Sequence, residues 1–148
     1  MKLTVATPLA IVTEADGVVH LRAEDATGAF GILSGHADFL TVLAISVVSW
    51  RDAAGMEHHL AARGGMLEVR DGTTITIATR DAIASDDLRH LETDVLANFR
   101  RQVEDERTAR SDAQRLSLAA IRQIYRFLKS ERGPAVQLHG LNDDSLAG

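Results

Sequence analysis

The sequence predicts a β-sandwich N-terminal domain followed by a C-terminal α-helical hairpin. Three observations predict it. Residues 2–80 hold short runs rich in β-branched residues, separated by Thr7-Pro8, Asp16-Gly17 and other turn residues at 8–12-residue spacing. From Ser85 to Arg132 there is neither Gly nor Pro, and Leu, Ala, Arg, Glu and Asp dominate. Within that stretch apolar residues recur every three or four positions, which is the period of one helix face. The implied domains are a sandwich over 1–84, a helical hairpin over 85–132 and a flexible tail over 133–148.

Taken in order, Leu3–Val5, Ile11–Thr13 and Val18–Arg22 are the first strands. Ala29–Leu33 follows, then a turn at Gly35-His36 and a long run from Leu40 to Trp50. A turn at Asp52–Gly55 leads to Glu57–Ala61, and Ala62-Arg63-Gly64-Gly65 opens the next strand, Met66–Val69. Asp71-Gly72 before Thr73–Thr79 predicts a hairpin, because a type I′ turn demands positive φ at both central residues. In that last strand Ile75 and Ile77 alternate with threonines and Ala78, so one face is buried and the other wetter.

The first helix places Leu88, Leu91, Val95, Phe99 and Val103 on one face, with Ser85 as its start and Asp86 and Asp87 near the positive end of the dipole. A break near Thr108–Ser111 is predicted, with Ser111 and Gln114 as a capping box, in preference to the alternative of one long helix. The second helix then repeats the spacing through Leu116, Ala120, Ile121, Ile124 and Leu128, and Gly133-Pro134 stops it.

Composition excludes several functions. Of 148 residues 45% are hydrophobic, so a core can form, but aromatics are only 4%, too few for stacking platforms. The formal net charge of −5, with no isolated Lys/Arg block, argues against nucleic acid as a partner. Cysteine is absent, which removes disulfides, thiol nucleophiles and thiolate metal sites and fits a reducing compartment. Lys2 leads straight into an alternating pattern rather than a signal peptide, and no stretch approaches the roughly 20 apolar residues of a membrane helix. Attachment to a membrane would therefore go through a partner, not direct insertion.

Candidate chemistry is sparse. His36 has no nucleophile or second ligand beside it in sequence and reads as a turn histidine bonding backbone. His58 and His59 are adjacent in a strand, point to opposite faces and cannot chelate one ion, so they read as solvated, and no metal site is expected. No phosphate-cradling glycine loop is present. Nucleophile–base pairs and paired carboxylates are not apparent, so no catalytic residue is assigned.

The organising stretch is Gly28–Leu43, GAFGILSGHADFLTVL, whose Gly28, Gly31 and Gly35 fall within eight positions and mark a strongly bent connection. It resembles the G-x-x-G-I-x-x-G-H-x-x-x-L-T stretch of the ε subunit family of rotary F-type ATP synthases, through Gly28, Gly31, Ile32, Gly35, His36, Leu40 and Thr41. Gly64, Gly65, Leu67, Glu68 and Val69 resemble that family's G-G-x-L-E-V element. The resemblance implies a sandwich with a helical hairpin, strongest over 1–84, and a non-catalytic role in the central stalk, coupling rotation of the γ subunit to the rotor ring of c subunits during ATP synthesis. It implies a peripheral place on the cytoplasmic face of the bacterial inner membrane. It makes Gly28, Ala29, Phe30, Gly31, Ser34, Gly35, His36 and Asp38 the ring-contact loop and Gly64-Gly65 a structural turn. The family's helices can extend and press basic residues on acidic segments of the α and β subunits, which makes Arg115, Arg122, Arg126 and Lys129 candidate inhibitory contacts.

Two departures from the family pattern matter. Its nucleotide segment, I/L-D-x-x-R-A, is here Leu88-Arg89-His90-Leu91-Glu92-Thr93, so no ATP or other cofactor is expected at the helical domain. Ala29 stands where an acid often follows the glycine, which points to a divergent branch with a different ring, including a sodium-translocating one. The competing reading is a non-catalytic ligand-binding sandwich with a regulatory helical tail; it requires an exposed aromatic face, and the chain has one Trp, one Tyr and four Phe with which to build it.

Overall fold

The computed structural model describes residues 1–130. Its strands are β1 (Lys2–Ala6), β2 (Ile11–Ala15), β3 (Val18–Asp25), β4 (Gly28–Leu33), β5 (Phe39–Asp52), β6 (Glu57–Arg70), β7 (Thr74–Ala78) and β8 (Ala82–Ala84). The helical part begins with α1 (Leu88–His90), passes through a π-helical turn (Leu91–Val95) and continues as α2 (Leu96–Ala147), described here through Ser130. The expectations for Gly133-Pro134 and for the tail over 133–148 lie outside the described residues.

The strands form one sheet in the order β2-β1-β7-β6-β5-β3-β4, with β8 added to β6. All neighbours are antiparallel except β1 and β7. β5 and β6 pair from Phe39↔Val69 to Arg51↔Glu57. The far half of β6 pairs with β7 while its near half pairs with β8, and the end of β5 pairs with β3. Leu3, Val5, Leu67, Val69, Ile75 and Ile77 from one end share a single buried cluster with Leu21, Ile32, Val48, Trp50 and Leu60 from the other. The sheet is therefore doubled over, and β5 and β6 run through both layers of a sandwich.

The corner is written in the alternation. In β6 the inward residues are Leu60 and Ala62 on one side of Gly64-Gly65, and Leu67 and Val69 on the other, so the inward parity flips between them. Gly64 has φ +69° and Gly65 φ +111°, backbone that L side chains rarely adopt. A Cβ on Gly65 would stand 2.1 Å from the Ala78 carbonyl oxygen, so only glycine fits. β5 flips likewise: Leu43 faces the core before Ala44, and Val48 and Trp50 face it afterwards. The buried Ser46 hydroxyl satisfies itself at this corner by donating to the Ala44 carbonyl at 3.0 Å. The glycine pair thus lies inside one 14-residue strand, rather than opening a second one after Glu57–Ala61.

Asp71-Gly72 is the predicted type I′ turn, with φ of 55° and 63° and the Thr73 N–H donating to the Arg70 carbonyl at 3.1 Å.

Residues from Met1 to Val103 form one compact unit, and the chain from Glu104 onward forms another. The composition changes at 84/85, yet the compact unit reaches 103. The reason is a second buried cluster in which Leu91, Val95, Leu96 and Phe99 cover Ala61, with Ile45 and Val47 packed beside them. Of the predicted helix face Leu91, Val95 and Phe99 are buried, while Leu88 is exposed and Val103 half-buried.

Two helical expectations are corrected. The cap is Asp87 rather than Ser85: the Asp87 carboxylate accepts from the His90 N–H at 3.1 Å, while Ser85 Oγ accepts from the Asp87 N–H at 3.1 Å. The hairpin reversal at Thr108–Ser111 is not present; α2 is helical straight through it. With no Gly or Pro and with Ala, Arg, Leu and Gln around it, nothing there ends a helix, and a lone serine caps only where the backbone has already left helical φ/ψ. Sandwich then helix stands; helix then reversal does not.

Candidate functional site

The glycine stretch forms β4, an edge strand paired only with β3 among the described residues, and then the loop Ser34–Asp38. That loop is clamped onto the Asp71-Gly72 turn. The Gly35 N–H donates to the Gly72 carbonyl at 2.9 Å, and the Asp71 N–H donates to Asp38 Oδ1 at 2.8 Å. Gly35 holds φ +84°, and a Cβ on Gly72 would lie 2.6 Å from Gly35 Cα. Two turns distant in sequence therefore interlock through glycines.

His36 sits in the loop as a backbone-bonding residue. Its N–H donates to the Leu33 carbonyl at 3.1 Å, and Nδ1 lies 2.7 Å from the Ala37 carbonyl. Its ring meets Phe39 edge-on at 5.6 Å, and Phe39 meets Phe30 the same way at 5.6 Å. Ala29, Gly31, Ser34, Gly35 and Asp38 are exposed, and Phe30 and His36 half-buried. The candidate residues from Gly28 to Asp38 are thus one continuous, internally braced ridge. Beside it, Asp25 accepts from Thr27 Oγ1 at 2.6 Å and Thr41 Oγ1 at 2.8 Å. The Thr27 hydroxyl first, then that of Thr41, hold the Asp25 carboxyl below the ordinary carboxylate range.

Next to the ridge, the outer face of one layer bears an apolar row that sequence alternation does not reveal. Register aligns Val42 with Met66, Met66 with Ala78, Ala78 with Ala6 and Ala6 with Ile11. Val42 is 67% and Met66 47% exposed. At strand spacing the row spans about 19 Å, with threonines and charged pairs such as Lys2–Glu14 and Arg70–Glu68 alongside it.

His58 and His59 do face opposite ways, but they are half-buried and partnered rather than solvated. His58 Nε2 lies 3.0 Å from Asp52 Oδ2 and stacks on Trp50 at 5.5 Å. The hydrogen bond from His58, with N–H donation from Met56 and Ala54, holds the Asp52 carboxyl below its ordinary value. His59 Nδ1 lies 2.7 Å from Ser49 Oγ, a serine–histidine pair that register, not sequence, brings together. Among the described residues no carboxylate orients His59, so the pair lacks the third member of a hydrolytic site. Among them, too, no cluster of three ligating side chains is assembled, and no helix is long and apolar enough to cross a membrane.

On α2, Arg115, Arg122, Arg126 and Lys129 fall within about 60° of one another at 3.6 residues per turn. No acid occurs from Ala113 to Ser130. The rest of the circumference presents Leu116, Ile121, Ile124, Phe127 and Leu128, with Leu118 beside the stripe, all exposed.

Residues 1–85 match the family described as ATP synthase, Delta/Epsilon chain, beta-sandwich domain. The chain belongs to that family. The likeness runs on through the helical part. It is 41% identical over 135 residues to "ATP synthase epsilon chain 2" of Paraburkholderia xenovorans, covering 91% of this chain and 97% of the relative. It is 42% identical over 145 residues to the protein of the same description in Cereibacter sphaeroides, covering 95% of each. Among solved structures, a chain of the Euglena gracilis mitochondrial ATP synthase (OSCP/F1/c-ring) shares its fold, with a TM-score of 0.54 at 21% identity over 61% of this chain and 56% of that one. The family's sandwich accounts for the doubled sheet, and its glycine marks fall on the interlocked loop and on the corner of β6.

Proposed function

We propose that this epsilon-type chain is a non-catalytic subunit of the central stalk of an ion-driven ATP synthase, peripheral to the membrane on its cytoplasmic face. It would couple rotation of γ to the c-ring. The observation that carries the reading is the match to epsilon chains over more than nine-tenths of both partners. Transmission of torque requires a rigid body, and the interlocked ridge and two-layer core supply one.

Within that reading the ridge Gly28–Asp38 meets the rotor ring, using backbone and the apolar surface of Ala29 and Phe30 in place of a charge. The Val42–Met66–Ala78–Ala6–Ile11 row is the surface for γ. It is continuous, exposed and nearly free of charge, as the centre of an obligate protein interface is. The cationic stripe Arg115, Arg122, Arg126 and Lys129 is suited to acidic segments of the catalytic subunits, where it would restrain ATP hydrolysis. The segment Leu88–Thr93 offers Arg89 and Glu92 where the family's nucleotide-binding members have the opposite charges, so no nucleotide binds through it.

The test is recovery of tagged chain from native membranes followed by mass spectrometry. Wild type is expected to bring γ, the catalytic subunits and the ring. Val42→Asp, on the exposed row, should lose γ while thermal unfolding of the isolated chain stays the same. Recovery of the wild-type chain alone would overturn the stalk assignment; full recovery of γ by the variant would move the γ surface elsewhere.

A further inference from the structure

The outer face of the other layer holds a second feature, which neither the stalk reading nor the family match assigns. Register brings His20 opposite Arg51, Arg22 opposite Ser49, Ser49 opposite His59 and Arg51 opposite Glu57. These side chains line a groove of about 270 Å³, and Leu88 at the start of α1 closes one side. Cross-strand neighbours of this kind have Cβ atoms about 5 Å apart, so their donors can converge on one small ligand.

The charge pattern indicates which ligand. Before Asp87 the chain has six Lys and Arg residues. Lys2, Arg51 and Arg70 are ion-paired with Glu14, Glu57 and Glu68, and Arg63 and Arg80 are also engaged. Arg22 has no hydrogen bond or ion pair among the described residues. It lies between two grooves, this one and a neighbour of about 330 Å³ lined also by Glu24, Glu92 and Arg100. In the first groove the sole acid is Glu57, already held by Arg51 at 3.2 Å. That leaves Arg22 as an unpaired cation beside two imidazoles, with Glu24 and Glu92 on the side of the neighbouring groove.

The Ser49–His59 contact of 2.7 Å completes the set. With Ser49 donating to Nδ1, the proton of His59 resides on Nε2 and becomes a ring donor. Guanidinium and imidazole N–H are donors that oxyanions select, while the one Ser49 hydroxyl proton is used in setting the His59 tautomer. At about 270 Å³ the groove is large enough to take a phosphate group, and the donors select its charge.

We infer that the groove over Ser49, between β3, β5, β6 and the start of α1, binds a phosphate-class oxyanion through Arg22, His20 and His59. Such an anion would bridge three strands and lie against Leu88, and so fasten the start of the helical part to the sandwich. The inference is independent of the stalk reading.

Calorimetric titration of the full chain tests it, with inorganic phosphate and pyrophosphate as free anions and ribose 5-phosphate as the phosphoryl end of a larger molecule. Saturable binding is expected from at least one arm, and the arm that binds tightest identifies the source. Arg22→Gln should weaken it about tenfold or more, the worth of one charge-assisted contact. Arg101→Gln, an exposed helix arginine away from the groove, should leave it unchanged. His59→Asn supplies a second variant should Arg22→Gln fold poorly; it too should weaken binding. Absence of saturable binding in the millimolar range from all three probes, or equal affinity for wild type and both groove variants, would overturn the inference.

Discussion

Gly65 illustrates how one atom decides a fold. Its added Cβ would meet the Ala78 carbonyl oxygen at 2.1 Å and Thr79 Cα at 2.8 Å, both backbone that cannot step aside. Gly55, with φ +84°, has nothing within 4 Å of the same virtual atom. Gly55→Ala should therefore cost about 1 kcal/mol for the left-handed backbone alone. Gly65→Ala adds a clash at the corner and should cost about 3 kcal/mol or more. Urea denaturation of the two variants measures the difference; equal midpoints would mean that the corner relaxes freely. Asp25 argues a different point. Its carboxylate accepts from Thr27 and Thr41, which lowers its folded pKa beneath the unfolded value of about 3.9. A group shifted this way contributes stability above the unfolded pKa and loses it as pH falls through the folded one. Thermal unfolding should thus drop on acidification below about pH 4, where unfolded Asp takes up protons first, and Asp25→Asn should flatten that drop. An unchanged acid slope would assign the pH dependence to other carboxylates, Asp52 first among them.

At the scale of the element, the first helical stretch is worth more to the sandwich than its position after the strands suggests. Phe99 is 1% exposed, packed with Leu91, Val95 and Leu96 against the outer face of β5 and β6. Phe99→Ala should cost about 3–5 kcal/mol, while Leu116→Ala, at 74% exposure, should stay within about 0.5 kcal/mol. The same packing explains what could be read in advance. The Asp71-Gly72 turn, the strand positions up to Leu43 and the helix face from Leu91 to Phe99 follow local rules of φ and period, and those rules act within a few residues. The long run from Leu40 to Trp50 does not obey simple alternation, because β5 changes which parity faces inward at Ala44 and because Ile45 and Val47 face a helix instead of water. Gly64-Gly65 is legible as a special backbone position but not as a corner, since a corner is defined by the strand it clashes with. The apolar row and the groove under Arg22 exist only through register between strands far apart in sequence, as Ala6↔Ala78 shows. The unrealised reversal at Thr108–Ser111 is the converse: a capping signal was present, and with no glycine or proline to support it the helix continued.

At the scale of the whole chain, the boundary between compact units at Val103 and Glu104 changes how regulation by the helix has to be tested. The composition suggests a cut after Asp87, where the helical part begins. Such a cut removes Leu91, Val95, Leu96 and Phe99 and uncovers Ala61, Ile45 and Val47, so the sandwich itself would be weakened and any change in enzyme activity would be ambiguous. A cut after Val103 keeps both buried clusters and every strand pair, and removes all four cations of the stripe. Thermal unfolding of the chain ending at Val103 should therefore match that of the sandwich in the intact chain, and the chain ending at Asp87 should unfold at least several degrees lower. If the stripe restrains hydrolysis by meeting acidic segments, a complex assembled with the Val103 form should hydrolyse ATP several-fold faster than wild type. Neutralising the stripe alone, through Arg115→Gln, Arg122→Gln, Arg126→Gln and Lys129→Gln together, should reproduce most of that gain with the helix still present. A faster truncated complex beside an unaffected charge variant would assign the restraint to parts of α2 after Val103 other than the four cations, and Leu116, Ile121, Ile124 and Leu128 would be the next residues to substitute.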